Sequence, residues 1–214
     1  MPTPEHPPEL LKVTCFVIRA GVNGPQVLLL RHPFAGMQFP AGTVEQGEAP
    51  EAGAAREARE ETGLAGLGPP RLVGERVERL APPAAVALIT SPLYPRPDLA
   101  SHSWATLRNG FNVVVEREAE GFIQVTYEEW DRAPDPQYVT YRLTGWVAAE
   151  TLTRTRRRFF YVLPCEGETA EAWEVTDDGH TWTLFWAPVA ALPAIIPPQD
   201  QWVPYLAAAM GPAP

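Results

Sequence analysis

The chain has 214 residues and a formal net charge of −9, since 26 Asp and Glu outnumber 17 Lys and Arg. Its hydrophobic share of 45% supports a sizeable core and excludes a chain that is disordered throughout. The acidic balance argues against general binding to duplex nucleic acid, which requires a basic surface. The acidic charge does not exclude a nucleotide or a metal–phosphate ligand, because acidic side chains can hold a bridging cation.

The two cysteines, Cys15 and Cys165, are too few and too far apart in the sequence for a disulfide framework. A reducing compartment is the simpler interpretation, so we expect a cytoplasmic protein. The N-terminus shows no basic segment followed by an apolar core, and no apolar run is long enough to span a bilayer. We therefore expect a soluble protein with no membrane partner.

The first third of the chain predicts a β-hairpin followed by a helix. Leu11–Ala20 is rich in β-branched residues and predicts a strand, and Gln26–Arg31 predicts its partner across a turn that contains Gly and Pro. Phe39–Gly42 predicts a second turn. Pro50 suits the first position of a helix and Gly63 the position just past its end, with strong helix formers between them.

The remainder of the chain is less regular and mostly β-like. Residues 65–108 are rich in proline and show little periodicity, which predicts a long irregular connection. Gln199–Met210 predicts a short amphipathic helix with Trp202, Tyr205, Leu206 and Ala209 on one face. Short runs rich in β-formers predict strands at Asn112–Glu116, Phe122–Tyr127, Val139–Val147, Arg158–Leu163 and Trp182–Trp186.

Three glutamates in the predicted helix suggest a chemical function. Glu57, Glu60 and Glu61 have the spacing i, i+3 and i+4, which places them on one face of a helix. Their like charges destabilise an isolated helix, and a divalent cation relieves that repulsion. Carboxylate oxygens suit Mg²⁺ or Mn²⁺, and Mg²⁺ commonly bridges carboxylates to substrate phosphates. A solvated acidic face is the alternative interpretation of such a cluster.

Three further residues near the predicted helix extend this group. Glu48 precedes the helix and reaches it if the intervening loop folds back. Arg56 neighbours the acidic face and suits a bidentate pair with a loop carboxylate, most simply Glu48. Gly42 stands where the backbone has to come close to a metal or a phosphate, and its carbonyl is a candidate ligand.

Over Gly42–Leu64 these residues fit the pattern G-x5-E-x7-R-E-U-x-E-E-x-G-U, in which U is a bulky aliphatic residue. Ala58 departs from the pattern, which prefers a larger aliphatic residue at that position. The segment resembles the Nudix box, and the chain is similar to Nudix pyrophosphohydrolases over residues 10–80 and again over about 158–206. The resemblance implies an α/β (α+β) fold in which a Nudix-type mixed sheet is sandwiched between helices.

The resemblance also implies the chemistry of the site. Nudix enzymes hydrolyse a nucleoside diphosphate linked to another group, through attack of water on phosphorus, with Mg²⁺ or Mn²⁺ as the cofactor. Glu57, Glu61 and Arg56 would then be catalytic, with Glu57 either a ligand or the base. The metal ligands implied in this sequence are Gly42, Glu48, Glu57, Glu60 and Glu61.

Many Nudix enzymes use a further Glu from a loop late in the domain, as a metal ligand or as a base. We favour Glu174 as this catalytic residue and Glu171 as the second choice. The four candidates between the last two predicted strands are Glu166, Glu168, Glu171 and Glu174. For most of them the alternative interpretation is a solvated acidic loop.

Residues 81–157 do not fit the Nudix pattern. We therefore predict a Nudix domain at 10–80 and 158–210 that is interrupted by a small all-β insertion. Such an insertion could cover the site, pair subunits or bind a partner.

Within the insertion, the segment at about 108–153 resembles a bacterial Src-homology-3-like small barrel. Phe122, Val125 and the closing run Gly145–Trp146–Val147 carry this resemblance. An elaborated β-hairpin that packs on the main sheet is the alternative.

The expected function is Mg²⁺-dependent hydrolysis of a pyrophosphate linkage in a nucleoside diphosphate derivative. A nucleoside triphosphate, an ADP-sugar and a dinucleoside polyphosphate all remain open as substrates. The alternative is a non-catalytic Nudix-fold protein that binds nucleotides or regulates through the insertion, although the intact box glutamates favour the enzyme. Dimers are frequent in such families, so a homodimer is an open expectation.

Overall fold

Strands predominate in the residues that this computed structural model describes, which are 8–177 and 180–210. The helices are α1 (Pro50–Thr62) and α2 (Val203–Met210). None of the described helices is long and apolar enough to cross a membrane. The strands in the first half are β1 (Leu10–Gly21), β2 (Gly24–His32), β3 (Gly36–Gln38), β4 (Ala41–Thr43), β5 (Arg71–Arg79), β6 (Ala84–Ala87), β7 (Ser91–Leu93) and β8 (Ala105–Leu107). Those in the second half are β9 (Asn112–Ala119), β10 (Phe122–Trp130), β11 (Val139–Ala148), β12 (Leu152–Thr153), β13 (Thr155–Pro164), β14 (Ala172–Asp177) and β15 (His180–Pro188).

The chain forms two compact units. The first unit comprises Lys12–Glu75, Arg132–Asp135 and the described residues from Arg158 to Met210. The second unit comprises the described residues up to Leu11, Arg76–Asp131 and Pro136–Arg157. The Nudix and insertion boundaries drawn from the sequence stay a prediction.

One sheet of eight strands has the order β14-β15-β2-β1-β13-β5, with β3 beside β2 and β4 beside β1. The predicted hairpin is present, since β1 and β2 pair antiparallel up to Gly21 and Gly24. Strands β1 and β13 run in the same direction, because Val13 O accepts from Arg158 and Ile18 O accepts from Cys165 N. The sheet is therefore mixed, which is consistent with the predicted α/β (α+β) class.

Helix α1 has the predicted ends. Pro50 is at its start, and Gly63 follows it at φ 69°, a left-handed conformation that glycine adopts without strain. The Gly63 N–H donates to Arg59 O at 2.8 Å and closes the last turn. Small buried residues, Ala54 and Ala58 among them, allow the helix to approach the sheet closely. Ala58, the residue that departs from the box pattern, is fully buried on this face.

The core of the first unit is built around aromatic rings. Phe16 stacks on Phe160 with ring centroids 6.1 Å apart, and Phe160 stacks on Tyr205 at 3.9 Å. Trp202 and Leu206 are buried in the same cluster. The amphipathic C-terminal segment predicted from the sequence is thus confirmed, although its first residues, Gln199–Trp202, form a 3-10 turn before α2 begins.

The second unit contains a five-stranded antiparallel sheet with the order β11-β10-β9-β6-β12. A two-stranded ribbon, β7 with β8, accompanies it. Val125 and Val147 are buried in the core of this unit, and Trp146 is also buried. The predicted strands of this region are confirmed as β9, β10 and β11, whereas the resemblance to a small barrel stays a prediction.

Two predictions about irregular segments are wrong. Residues 65–108 contain β5, β6, β7 and β8 rather than one irregular connection. The acidic segment that precedes β15 contains the strand β14, so Glu174 lies in a strand and not in a loop. The first error arises because β6 pairs with the distant strands β9 and β12, and local composition does not report that pairing. Strand β14 instead pairs with the adjacent β15, up to Asp177 and His180.

Candidate active site

The short strand β4 holds two carboxylates of α1 with its backbone. Ala41 N donates to Glu61 Oε2 at 2.8 Å, and Thr43 N donates to Glu57 Oε1 at 3.1 Å. Two residues of a strand rise about 6.6 Å, and four residues of a helix rise about 6 Å. The N–H groups of alternate strand residues therefore match carboxylates spaced i, i+4 on the helix. This edge of β4 is available because its other edge pairs with β1.

Gly42 lies between these two N–H groups, and only glycine fits there. A Cβ at this position would lie 1.8 Å from the carboxylate carbon of Glu57 and 2.1 Å from each of its oxygens. The Glu57 carboxylate thus fills the space that any side chain at residue 42 would need. The requirement for glycine comes from this close approach of helix and strand.

Arg56 uses all five of its N–H donors in this cluster. It binds Glu48 bidentately, from Nε to Oε1 at 3.1 Å and from Nη2 to Oε2 at 3.0 Å, as the sequence predicts. Its Nη1 also donates to Glu57 at 3.0 Å and to Glu60 at 2.9 Å. Its Nη2 also donates to Thr43 O at 3.0 Å. The guanidinium therefore joins the loop, the helix and β4.

Glu48 is held by its own loop as well as by Arg56. Its Oε2 accepts a hydrogen bond from Glu45 N at 2.9 Å. The same oxygen lies 2.9 Å from the place where a Cβ on Gly53 would stand, so a second glycine permits a second close approach. The hydrogen bonds from Arg56, supported by the Glu45 N–H, hold the pKa of Glu48 below its ordinary value.

Burial acts in the opposite direction at Glu57. Desolvation raises the pKa of Glu57, and the nearby Glu60 adds to the rise, while Arg56 and the Thr43 N–H counteract it.

The buried thiol of Cys15 donates to Ala54 O at 3.2 Å. Burial, followed by the charges of Glu61 and Glu57, raises the pKa of this thiol. Among the box residues, four carboxylates thus accompany one guanidinium, and Arg56 pairs with three of them, Glu48, Glu57 and Glu60.

This donor set fits a hard divalent cation. It offers carboxylate oxygens of Glu48, Glu57, Glu60 and Glu61 around a glycine cradle, which is the chemistry that Mg²⁺ and Mn²⁺ prefer. In this structure Arg56 lies among the carboxylates and pairs with Glu48, Glu57 and Glu60. Within residues 8–177 and 180–210, no group of three acidic, His or Cys side chains is arranged to hold a metal ion. The assignment of Gly42 and these glutamates as metal ligands stays a prediction.

Comparison with known families agrees with this geometry. Residues 10–86 match the NUDIX domain. The match includes β4, the loop of Glu48 and the whole of α1, and it supports the Nudix family for this segment. A comparison with curated proteins finds no match.

Strand β14 places the neighbours of Glu174, rather than Glu174 itself, against the end of helix α1. Trp173 Nε1 donates to Thr62 O at 2.8 Å, and Val175 lies beside Gly63 at the end of the helix. Successive strand residues point to opposite faces, so Glu174 points away from α1. Glu171 instead pairs with Arg19 at 2.7 Å. This geometry argues against a contact of Glu174 with the box carboxylates, and the assignment of Glu174, with Glu171 as the second choice, stays a prediction.

The sequence patterns did not predict several contacts of helix α1. The N–H groups of Ala41 and Thr43 lie in a segment whose composition predicts only a turn. Trp182 Nε1 donates to Glu61 O at 3.0 Å, so the last carbonyls of α1 are bound by indole N–H groups. No local pattern signals these contacts. The one available signal is the position of Gly42, where a required glycine implies a close neighbour.

The fit of Glu57 over Gly42 predicts a coupled effect on stability. Gly42→Ala should lower the free energy of unfolding by about 1–3 kcal/mol, because the new Cβ displaces the Glu57 carboxylate. In a Glu57→Ala background, Gly42→Ala should lower the free energy of unfolding by less than about 0.5 kcal/mol, since the carboxylate that would clash with the new Cβ is absent. Urea unfolding of the four proteins measures the cycle. Additive effects would show that the close approach does not determine the preference for glycine.

The five hydrogen bonds of Arg56 predict that lysine cannot replace it. Arg56→Lys keeps the charge but loses the planar fork, and it should lower the free energy of unfolding by about 1–3 kcal/mol. The matched control is Arg59→Lys in the same helix, at an exposed position, which should change it by less than about 0.5 kcal/mol. Equal effects of the two substitutions would contradict the central position of Arg56.

Proposed function

We propose that this protein is a Nudix pyrophosphohydrolase that cleaves a pyrophosphate linkage in a nucleoside diphosphate derivative with Mg²⁺ or Mn²⁺. The observation that supports this most directly is the Gly42 cradle, in which α1 presents Glu57 and Glu61 to the N–H groups of β4. Every acidic position of the box is present in the chain. The family match over residues 10–86 supports the same reaction class.

In this proposal Glu48, Glu57, Glu60, Glu61 and the Gly42 carbonyl hold the cation. When bound, the cation neutralises phosphate charge and lowers the pKa of water. Arg56 orients the carboxylates through its hydrogen bonds to Glu48, Glu57 and Glu60. The β4 N–H groups keep Glu57 and Glu61 in register.

Glu57 is also suited to accept a proton from the attacking water. It is 14% exposed, and its raised pKa makes the carboxylate a stronger base than a solvated one. The hydrogen bond from Thr43 N fixes one carboxylate oxygen, Oε1. The ligand and base roles of Glu57 are alternatives within the same proposal.

The proposal extends to the arrangement of sheet and helices, the cellular compartment and the substrate class. We infer a Nudix-type sheet sandwiched between helices, because Cys15 contacts α1 while Phe16, on the other face of β1, packs with Trp202 and Leu206. We also propose a cytoplasmic protein that acts on a small nucleotide and uses neither duplex nucleic acid nor a membrane as a partner. A homodimer stays an open expectation. A nucleoside triphosphate, an ADP-sugar and a dinucleoside polyphosphate are the proposed substrate classes.

Chromatographic analysis of the products from a panel of these nucleotides, with Mg²⁺ or Mn²⁺, tests the proposed reaction. Hydrolysis should yield a nucleotide together with pyrophosphate, a sugar phosphate or a second nucleotide. Glu60→Gln and Glu61→Gln should each lower kcat/KM on the order of 100-fold, because a neutral amide replaces a carboxylate. Glu51→Gln is the matched control, since Glu51 is exposed in the first turn of the same helix. Nucleotide binding by a wild-type protein that turns over no substrate would favour the non-catalytic alternative.

The substitution Glu174→Gln tests whether Glu174 is the late catalytic glutamate, as the sequence predicts, or lies outside the active site, as its position in β14 indicates. If Glu174 were the late catalytic glutamate, its loss would lower turnover by at least about 100-fold. Because Glu174 lies on the face of β14 opposite Trp173 and Val175, we expect kcat and KM within about twofold of wild type. Steady-state kinetics on the best substrate of the panel decide between these outcomes. A large loss would return Glu174 to the mechanism.

A further inference from the structure

An aromatic group lies next to the turn of α1 that carries the box glutamates. Trp182 Nε1 donates to Glu61 O at 3.0 Å, which places the indole against this turn. The ring of His32 stacks beside Trp182 with centroids 6.4 Å apart and an interplanar angle of 25°. The ring of Phe34 meets His32 edge-on at 6.1 Å. We call His32, Phe34 and Trp182 the aromatic platform.

Backbone hydrogen bonds hold the platform in place. Phe34 N donates to His32 Nδ1 at 3.2 Å, which fixes the orientation of the imidazole. Phe34 O accepts from Ala133 N at 2.9 Å, so the segment Arg132–Asp135 of the first unit secures the residue from its other side. These bonds orient the imidazole of His32 and hold the backbone of Phe34, which reduces the conformational freedom that this segment loses when a ligand binds.

The platform is open to a ligand. Phe34 is 56% exposed, although exposing a large apolar ring brings no stability to the fold. Trp182 connects the rings to the candidate site through the backbone carbonyl of Glu61, which lies in the helical turn that carries the box glutamates. Binding sites for small molecules commonly combine an aromatic wall with a few convergent polar groups. A ligand that has both a planar ring and a charged phosphate part matches this arrangement.

We propose that the aromatic platform of His32, Phe34 and Trp182 is the subsite that binds the base of a nucleoside diphosphate derivative by stacking. This inference rests on the proposed function for the position of the diphosphate, which lies at the box carboxylates. Stacking uses the flat face that every base has, so the subsite accepts different bases and distinguishes nucleotides from base-free phosphate esters.

Calorimetric titrations in Mg²⁺ with ADP and with ribose 5-diphosphate, which is the same ligand without its base, test the platform. Wild type should bind ADP at least about fivefold more tightly than ribose 5-diphosphate. Phe34→Ala should remove most of that preference and leave the affinity for ribose 5-diphosphate unchanged. Phe34→Tyr should restore the preference, because it restores a ring.

Trp104→Ala is the matched control, since Trp104 is an aromatic residue of the second unit with a similar exposure of 50%, and the preference should persist in it. Equal affinity of wild type for the two ligands would overturn the proposal, as would an equal loss for both ligands in Phe34→Ala. These titrations do not depend on turnover. A base preference in a protein that hydrolyses no nucleotide would therefore support the platform and contradict the proposed hydrolase function.

Discussion

The candidate site depends on the close approach of α1 to β4 at Gly42. The approach lets two N–H groups of the strand bind two carboxylates of the helix, with spacings that match because two strand residues and four helix residues rise by similar lengths. A hydrogen bond from an N–H to a carboxylate is stronger than one to a neutral acceptor, so these bonds offset part of the cost of burying Glu57. Arg56 supplies the remaining compensation through its pairs with Glu48, Glu57 and Glu60.

The rest of the first unit keeps this approach in place. Strand β1 pairs with β4 along one edge, and its Cys15 contacts α1, so a single strand positions both partners of the site. Small residues on the buried face of α1 keep the helix near the sheet, which explains the alanine at position 58 in place of a bulky aliphatic residue. The indole N–H groups of Trp173 and Trp182 bind the last carbonyls of the helix and join β14 and β15 to its end.

Charge and aromatic surface have complementary positions in this unit. The carboxylates of the site outnumber the one guanidinium among them, and the raised pKa of the buried Cys15 thiol reflects this excess together with burial. A cation that also binds phosphate is the natural counterpart of such a cluster. The platform of His32, Phe34 and Trp182 adjoins the same helical turn, so the proposed nucleotide has one place for its phosphates and another for its base.

The sequence by itself determined the elements that depend on local chemistry. Pro50 and Gly63 delimit α1, the hairpin of β1 and β2 follows from its strand and turn residues, and the i, i+3, i+4 spacing places the box glutamates on one face. The bidentate pair of Arg56 with Glu48 was also predictable, because both lie within one short segment. Features that depend on contacts between distant segments were decided only by the tertiary structure. It converted the proline-rich region into strands, turned Glu174 away from α1, and brought Trp182 to Glu61 and His32 to Trp182. Strand register and the packing of distant segments leave no local pattern that would report these outcomes.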